Sequence, residues 1–300
     1  MSNTPKRTRF ILPALITLTT LGATVLASRF YRRPTGTLVE VARTGMKLLG
    51  IREHTCNLNG LPMHYYFAGR RGTPIILIHG LGNSAEIWAS LLSLLSKDFL
   101  VYAPDMPGFG KTPLAPEGVT IRTHVNYLKQ FIDALGYPHV TLVGNSLGGW
   151  IATQYAVTYP DSVEHLYLLN SAGLRREEMH SPYAVSRAEA QLSFNHILGF
   201  SLPLPSFILD DIVRTSQMPA YSGFVQNYDV QEELDNVLSQ VKVPTTIIWG
   251  QRDKIFPITC ANDLHAGIAN STLHLLPNVG HMPQVQAPFE VARIIKGSPS

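Results

Sequence analysis

Apolar and polar positions alternate along the chain in two distinct rhythms, and the switches between them outline a fold. Glu53 to Leu58 and Met63 to Phe67 flank Asn59-Gly60, a dipeptide that accepts the positive φ of a hairpin turn, so an antiparallel hairpin is expected first. Pro74 to His79 then forms a continuous apolar run, as expected of a strand buried on both faces of a parallel sheet. Further strands are expected at Phe99 to Ala103, Val140 onward, Val163 to Leu169, Pro244 to Trp249 and Thr272 to Leu276. Between them, Ser84 to Leu95 reads as a helix with Ser84 as N-cap, and Thr120 to Leu135 as a helix broken by Gly136-Tyr137-Pro138. The β-α-β alternation predicts an α/β domain whose mostly parallel sheet is flanked by helices.

Two stretches depart from that rhythm. From Leu174 to Val243 the alternation stops for far longer than one crossover helix. Phe194, Ile197, Leu198, Phe200, Leu202, Leu204, Phe207 and Ile208 crowd one part of it, too many large apolar residues for a solvated loop, so a helical cap is expected, with most of them in its core. At the N-terminus, Thr37 to Leu49 has helical spacing at Leu38, Val41, Ala42, Met46 and Leu49 and is stopped by Gly50, which predicts an amphipathic helix. It either packs on the domain or lies on a membrane surface. Phe10 to Ala27 is apolar apart from four threonines and has basic residues on both sides, so it is long enough to cross most of a bilayer. An uncleaved single-pass anchor is the expectation. Val25-Leu26-Ala27 also fits the end of a cleavable secretory signal, which would leave a secreted or periplasmic body. The expected organisation is therefore 1–33 as anchor or signal, 34–60 as amphipathic helix and lead-in strand, 61–173 with 244–300 as the core, and 174–243 as the cap.

Composition narrows the class. The chain has 300 residues, 45% apolar and 15% charged, enough for a sizeable core. Its formal net charge is +3, yet Lys6, Arg7, Arg9, Arg29, Arg32 and Arg33 precede residue 34 with no acid among them, so the remaining chain is mildly acidic. That distribution argues against a nucleic-acid partner and reads as membrane flanks. Cys56 and Cys260 are the only cysteines, and neither has a histidine at metal-ligand spacing, so free thiols and no metal site are expected.

The chemistry concentrates in Val140 to Gly149, where a β-branched run ends in Gly144-Asn-Ser146-Leu-Gly148 and becomes helical. Such a turn holds a serine in a cramped conformation, with glycines where a Cβ would collide with a neighbouring strand or helix. It presents the Ser146 hydroxyl above the sheet. The helix that follows aims its N-terminal N–H groups at the same place, where negative charge develops when a carbonyl is attacked. Further loops close other strands: His79-Gly80-Leu81-Gly82, Asp105-Met-Pro-Gly108-Phe-Gly110, Trp249-Gly250-Gln-Arg-Asp253 and Gly280-His281-Met-Pro283.

In this order the motifs resemble the α/β-hydrolase family, from about Leu61 to about Ile295. The resemblance implies Ser146 as nucleophile, Asp253 as acid and His281 as base, with the N–H groups of Leu81 and Leu147 as the oxyanion hole. It makes His79 and Asp105 organisers of their loops, and it moves the acid past Asn170-Ser171-Ala172-Gly173, where some hydrolases of this fold carry it. Gln286 stands where a glutamate is common, which predicts a weakened supporting contact. No cofactor is implied.

The pattern is similar to membrane-bound monoacylglycerol lipases and small bacterial lipases, which implies a serine esterase acting on lipid-derived esters. One alternative is hydrolysis of a carbon-carbon bond in a dienoic acid from aromatic-ring cleavage, for which Arg175 or Arg176 would have to clamp a carboxylate. Another, of a different class, is a catalytically inactive, membrane-tethered binding protein. Haloalkane dehalogenases and epoxide hydrolases fit poorly, because they use aspartate where Ser146 stands. The sequence sets no oligomeric state.

Overall fold

The structure, a computed structural model, describes residues 27–297. The expected anchor, Phe10 to Ala27, lies outside the described residues except for Ala27. Among the described residues no helix is long and apolar enough to cross a membrane.

Among the described residues eight strands form one sheet: β1 Arg52–Leu58, β2 Leu61–Ala68, β3 Pro74–Ile78, β4 Leu100–Pro104, β5 Val140–Asn145, β6 Val163–Leu169, β7 Thr245–Gly250 and β8 Ser271–Leu276. Their order is β1-β2-β4-β3-β5-β6-β7-β8. β2 runs antiparallel to β1 and β4, and the pairs from β4 through β8 are parallel. The hairpin turns where expected, with Asn59 and Gly60 both at positive φ, 50° and 96°.

Among the described residues the helices around the sheet include α1 Pro34–Leu48, α2 Ala89–Leu95, α3 Ile121–Leu135, α4 Leu147–Thr158, α5 Arg187–Leu198, α6 Ser206–Ser216, α7 Pro219–Gln226, α8 Ile258–Gly267, α9 Pro283–Gln286 and α10 Pro288–Gly297. The continuous apolar runs of the central strands have a simple cause. Ile76, Ile78, Leu142, Leu168 and Trp249 join a core with α3, α4 and α8 on one face, while Ile75, Leu77, Val143, Leu169 and Ile248 join a second core with α2 and α10 on the other. Side chains alternate across a strand, so both faces must be apolar.

Several local readings change. Ala85–Trp88 is a 3-10 turn and the α-helix begins only at Ala89. Ser84 does not cap it, since its hydroxyl donates to Glu86 Oε2 at 2.6 Å, and Asp105 Oδ1 accepts the Ala85 N–H at 2.7 Å. A carboxylate from another loop thus does the work assigned to the local serine. In α1, Met46 is buried, whereas Leu38 and Val41 are 59% and 54% exposed, so the apolar spacing does not all face the domain.

The stretch between β6 and β7 folds as α5, α6 and α7. It packs on loops at the carboxyl ends of the strands: Ile197 O accepts the His281 N–H at 2.8 Å, and Gln286 Nε2 donates to Leu198 O at 3.1 Å. None of the eight large apolar residues expected in its core is buried, and Phe200 and Leu202 are each 44% exposed. Its own small core consists of Ala184, Ala190 and Leu209. The helices are too short and too few to enclose so many large side chains, which lie half-covered along the layer.

His124, on α3, is fully buried beside Phe109 and bonds the Thr120 carbonyl through Nδ1 at 2.7 Å. Burial is the main reason that its pKa falls from 6.5 to about 4, against the raising effect of the Thr120 carbonyl. Between those values the unfolded chain binds a proton that the folded chain refuses, so this contribution to stability is intact above pH 6.5 and is lost toward pH 4. Thermal unfolding followed at pH 7.5 and pH 5 is expected to show a smaller acid-induced drop in Tm for His124→Leu than for the wild type.

Candidate active site

Ser146 sits between β5 and α4 with φ 56° and ψ −122°, a conformation rarely adopted by a side-chain-bearing residue. The surroundings impose it. A Cβ on Gly144 would run into the backbone of Gly148, and one on Gly148 into the carbonyl oxygen of Ile78, so strand, helix and β3 approach as closely as glycine permits. The Ser146 N–H donates to Leu169 O at 3.1 Å, and its carbonyl accepts from Gly149, Trp150 and Ala172. Backbone bonds thereby hold the elbow from two sides. Among the described residues no hydrogen bond reaches Ser146 Oγ.

Leu147 is the first residue of α4, so its N–H has no partner within the helix. Gly80 lies against Ser146: a Cβ there would come within 3.0 Å of the Ser146 Cβ. Leu81 follows, in a turn closed by the Asn83 N–H on Gly80 O at 3.2 Å. His79 is fully spent on this turn. Its Nδ1 pairs with Gly80 O at 2.9 Å, and Nε2 accepts the Met106 N–H at 3.0 Å. Burial lowers the His79 pKa and keeps the ring neutral, as that acceptor role requires. Asp105 accepts from Ala85 N, Lys111 N and His64 Nδ1. Burial alone would raise its pKa, but the bond to His64 and these N–H groups leave the carboxyl below the usual range.

Across the sheet, the structure brings Asp253 and His281 together. His281 Nδ1 lies 2.8 Å from Asp253 Oδ2, and both side chains are buried. The Ile255 and Phe256 N–H groups bond Asp253 Oδ1 at 2.7 and 3.1 Å. The Phe256 ring meets the His281 ring edge-on, with centroids 5.2 Å apart.

Asn170 and Asn145 were not singled out as functional from sequence, yet they tie these parts together. Asn170, at the end of β6, is fully buried with φ 41°. Its Nδ2 donates to Asp253 Oδ2 at 2.7 Å while its Oδ1 accepts the Gly250 N–H at 2.9 Å. Asn145 donates to Leu169 O at 2.9 Å and to His281 O at 3.1 Å, and it accepts from Gln284 at 2.8 Å. The available signal was their placement: an asparagine ending each of two neighbouring parallel strands, where functional groups of such sheets gather.

Two other expectations change. Gln286 makes supporting contacts of its own: its Oε1 accepts the Gly280 N–H at 3.0 Å and its Nε2 donates to Leu198 O. A glutamate carboxylate has no hydrogen to give that carbonyl. Arg176 is no free clamp: it donates to Asp235 at 2.6 Å and to Asp263 at 2.7 Å, bonds that raise its pKa despite partial burial. Arg175 is mostly exposed and faces Glu233 at 3.9 Å. Both cysteines are free thiols, Cys260 buried so that its pKa is pushed up to about 12. Among the described residues no group of three or more His, Cys, Asp or Glu is placed to hold a metal.

The fold is that of an α/β hydrolase, and residues 73–202 match the alpha/beta hydrolase fold family. Within that class the chain is similar to monoacylglycerol lipase ABHD6 of Homo sapiens, 28% identical over 263 residues that cover 77% of each chain. It is also similar to the 2-hydroxy-6-oxo-6-(2'-aminophenyl)hexa-2,4-dienoic acid hydrolase of Metapseudomonas resinovorans, 29% identical over 80% of this chain and 88% of that one. Among solved structures it resembles a membrane phospholipase A described as a bacterial virulence factor, with TM-score 0.77 and 26% identity over 95% of this chain and 96% of that one. Fold and relatives support hydrolase activity.

The Asn170 bonds can be tested without added strain, because glycine accepts its positive φ. Asn170→Gly is expected to lower stability in urea denaturation by about 1–3 kcal/mol, from the unpaired Gly250 N–H and the donor lost to Asp253.

Proposed function

We propose that the chain is a serine hydrolase of carboxylic esters, lipid-derived ones in particular, working through an acyl-enzyme on Ser146. The observation that carries it is the strained elbow that lifts Ser146 to the head of α4, on the sheet edge where His281 is bonded to Asp253. His281 Nε2 takes the Ser146 proton as Oγ attacks the ester carbonyl. Asp253, held by Asn170 and two backbone N–H groups, keeps the ring in the required tautomer and stabilises the imidazolium. The Leu81 and Leu147 N–H groups receive the oxyanion. As the tetrahedral intermediate collapses, His281 returns the proton to the departing alkoxide. It then activates a water that releases the acid and restores Ser146. The bond between Ser146 and His281 closes as substrate enters, since such bonds tighten in the Michaelis complex.

The ester reading is favoured over carbon-carbon hydrolysis by the arginines. A dienoic acid needs a cation for its carboxylate, whereas Arg176 is paired with Asp235 and Asp263 and Arg175 faces Glu233. A lipid substrate is supported by the half-covered apolar layer of residues 174–243, read as a cap, and by the similarity to a monoacylglycerol lipase. Membrane association through the N-terminal segment belongs to the same reading. The apolar Phe10 to Ala27 stretch supports it, as do the outward Leu38, Val41 and Leu48 of α1.

A panel of nitrophenyl esters, monoacylglycerols and a ring-cleavage dienoic acid, assayed in detergent, tests this. Medium-chain and long-chain esters are expected to turn over, with kcat reduced by roughly 10⁴-fold or more in Ser146→Ala. Turnover of the dienoic acid alone would transfer the assignment to carbon-carbon hydrolysis, and no turnover of any substrate would return it to a binding protein.

A further inference from the structure

Two buried carboxylates take no part in this chemistry, and both are bonded to α1. Asp211, on α6 and 4% exposed, accepts the Thr35 N–H at 2.8 Å, the Thr35 hydroxyl and Arg214 Nη1. It caps the start of α1 from another helix, meeting an N–H group that has no partner within α1. Glu86 is 5% exposed and sits in the 3-10 turn after the Leu81 loop. Its Oε1 accepts from Arg43 Nε at 2.5 Å and from the Tyr66 hydroxyl at 3.0 Å, and its Oε2 accepts from Ser84 Oγ at 2.6 Å. Among the described residues Arg43 is the one cation paired with Glu86.

The Leu81 turn is thus held at both ends. On its N-terminal side, His79 binds the Gly80 carbonyl and the Met106 N–H. On its C-terminal side, Glu86 binds Ser84, and Asp105 binds the Ala85 N–H. Asp105 belongs to a loop of the sheet itself, whereas the cation on Glu86 comes from a helix outside it. A buried carboxylate without its cation takes up a proton, draws in water or swings toward solvent, because desolvated charge is costly when unpaired. Each response alters the bonds that Glu86 accepts, the one from Ser84 among them.

We propose that α1 is a positioning strap for the oxyanion loop: Arg43 fixes Glu86, Glu86 fixes Ser84, and the turn bearing the Leu81 N–H is thereby held at its distance from Ser146. Thr35 on Asp211 anchors the other end of the strap to α6. The inference rests on the reading of Leu81 as an oxyanion donor, and it makes Arg43 a positioning residue that touches no substrate.

The test uses the full chain and two measurements: hydrolysis of nitrophenyl butyrate, and inhibition by an alkyl trifluoromethyl ketone. Ser146 Oγ adds to that ketone to leave an oxyanion in the same hole. Arg43→Ala is expected to lower kcat about ten- to hundredfold with KM within about twofold, and to weaken the ketone by the same factor. Arg43→Lys, which restores a cation, is expected to recover most of the loss. Glu40→Ala, which removes the exposed partner of Arg29 on α1, is expected to match the wild type. Wild-type kcat and ketone affinity in Arg43→Ala, or a loss confined to KM, would overturn the strap. If Arg43→Ala does not fold, Arg43→Gln, which keeps a polar side chain there but leaves Glu86 without its cation, is read by the same criteria. Ser146→Ala separates the two levels. Turnover retained there would sink the reading of the site itself, whereas turnover lost there but untouched in Arg43→Ala would sink the strap alone.

Discussion

The close crossing of β5, α4 and β3 is the constraint on which the rest depends. Gly144 meets the backbone of Gly148, and Gly148 meets the carbonyls of Ile78 and His79, with no room for a Cβ. Three backbone segments in contact leave Ser146 one conformation, φ 56° and ψ −122°, that open chain would avoid. The strain is sustained because two apolar cores clamp the segments from opposite faces of the sheet. The Ser146 backbone is thereby fixed at the head of α4.

From that crossing, polar bonds carry order sideways across the sheet. Asn145 reaches from β5 to the His281 carbonyl, and Asn170 reaches from β6 to Asp253 and to the Gly250 N–H at the end of β7. Both are asparagines, and the chemistry explains why. Each donates and accepts at once, between a backbone group and a side chain, which an amide does without adding charge. A carboxylate at Asn170 would face Asp253 Oδ2 across 2.7 Å and repel the charge the site has to hold.

How much of this was legible follows from how local each determinant is. The sheet was readable because strands buried on both faces must be apolar throughout, and the elbow because only glycine fits its contacts. The supporting bonds were hidden because their partners lie far apart in sequence: Asn170 and Asp253 are 83 positions apart, Asn145 and Gln284 139. Ser84 shows the same limit from the other direction. It has the composition of an N-cap, but Asp105 reached the Ala85 N–H first and Ser84 turned to Glu86. The apolar residues from Phe194 to Ile208 misled for a third reason. Their spacing reports that a face is apolar, not that anything covers it, and here they remain half-buried above the loops.

The apolar strands and the buried carboxylates divide the work of building this molecule. Dispersion and apolar burial are non-directional, so they fix the sheet while leaving the loops at its edge free to slide. Asp105, Glu86, Asp211 and Asp253 supply direction where it is needed. Each is at most 7% exposed, and each gathers at least three donor groups, at least one of them from another segment of the chain. A buried charge adds little to stability once its desolvation is counted, but losing one of its partners is expensive, so it tolerates only one arrangement of the loops around it. Three of the four act at the edge where Ser146 emerges, and the fourth ties the N-terminal helix to α6. Placement of these charges, more than the size of either apolar core, is what turns a common sheet into a site with defined geometry.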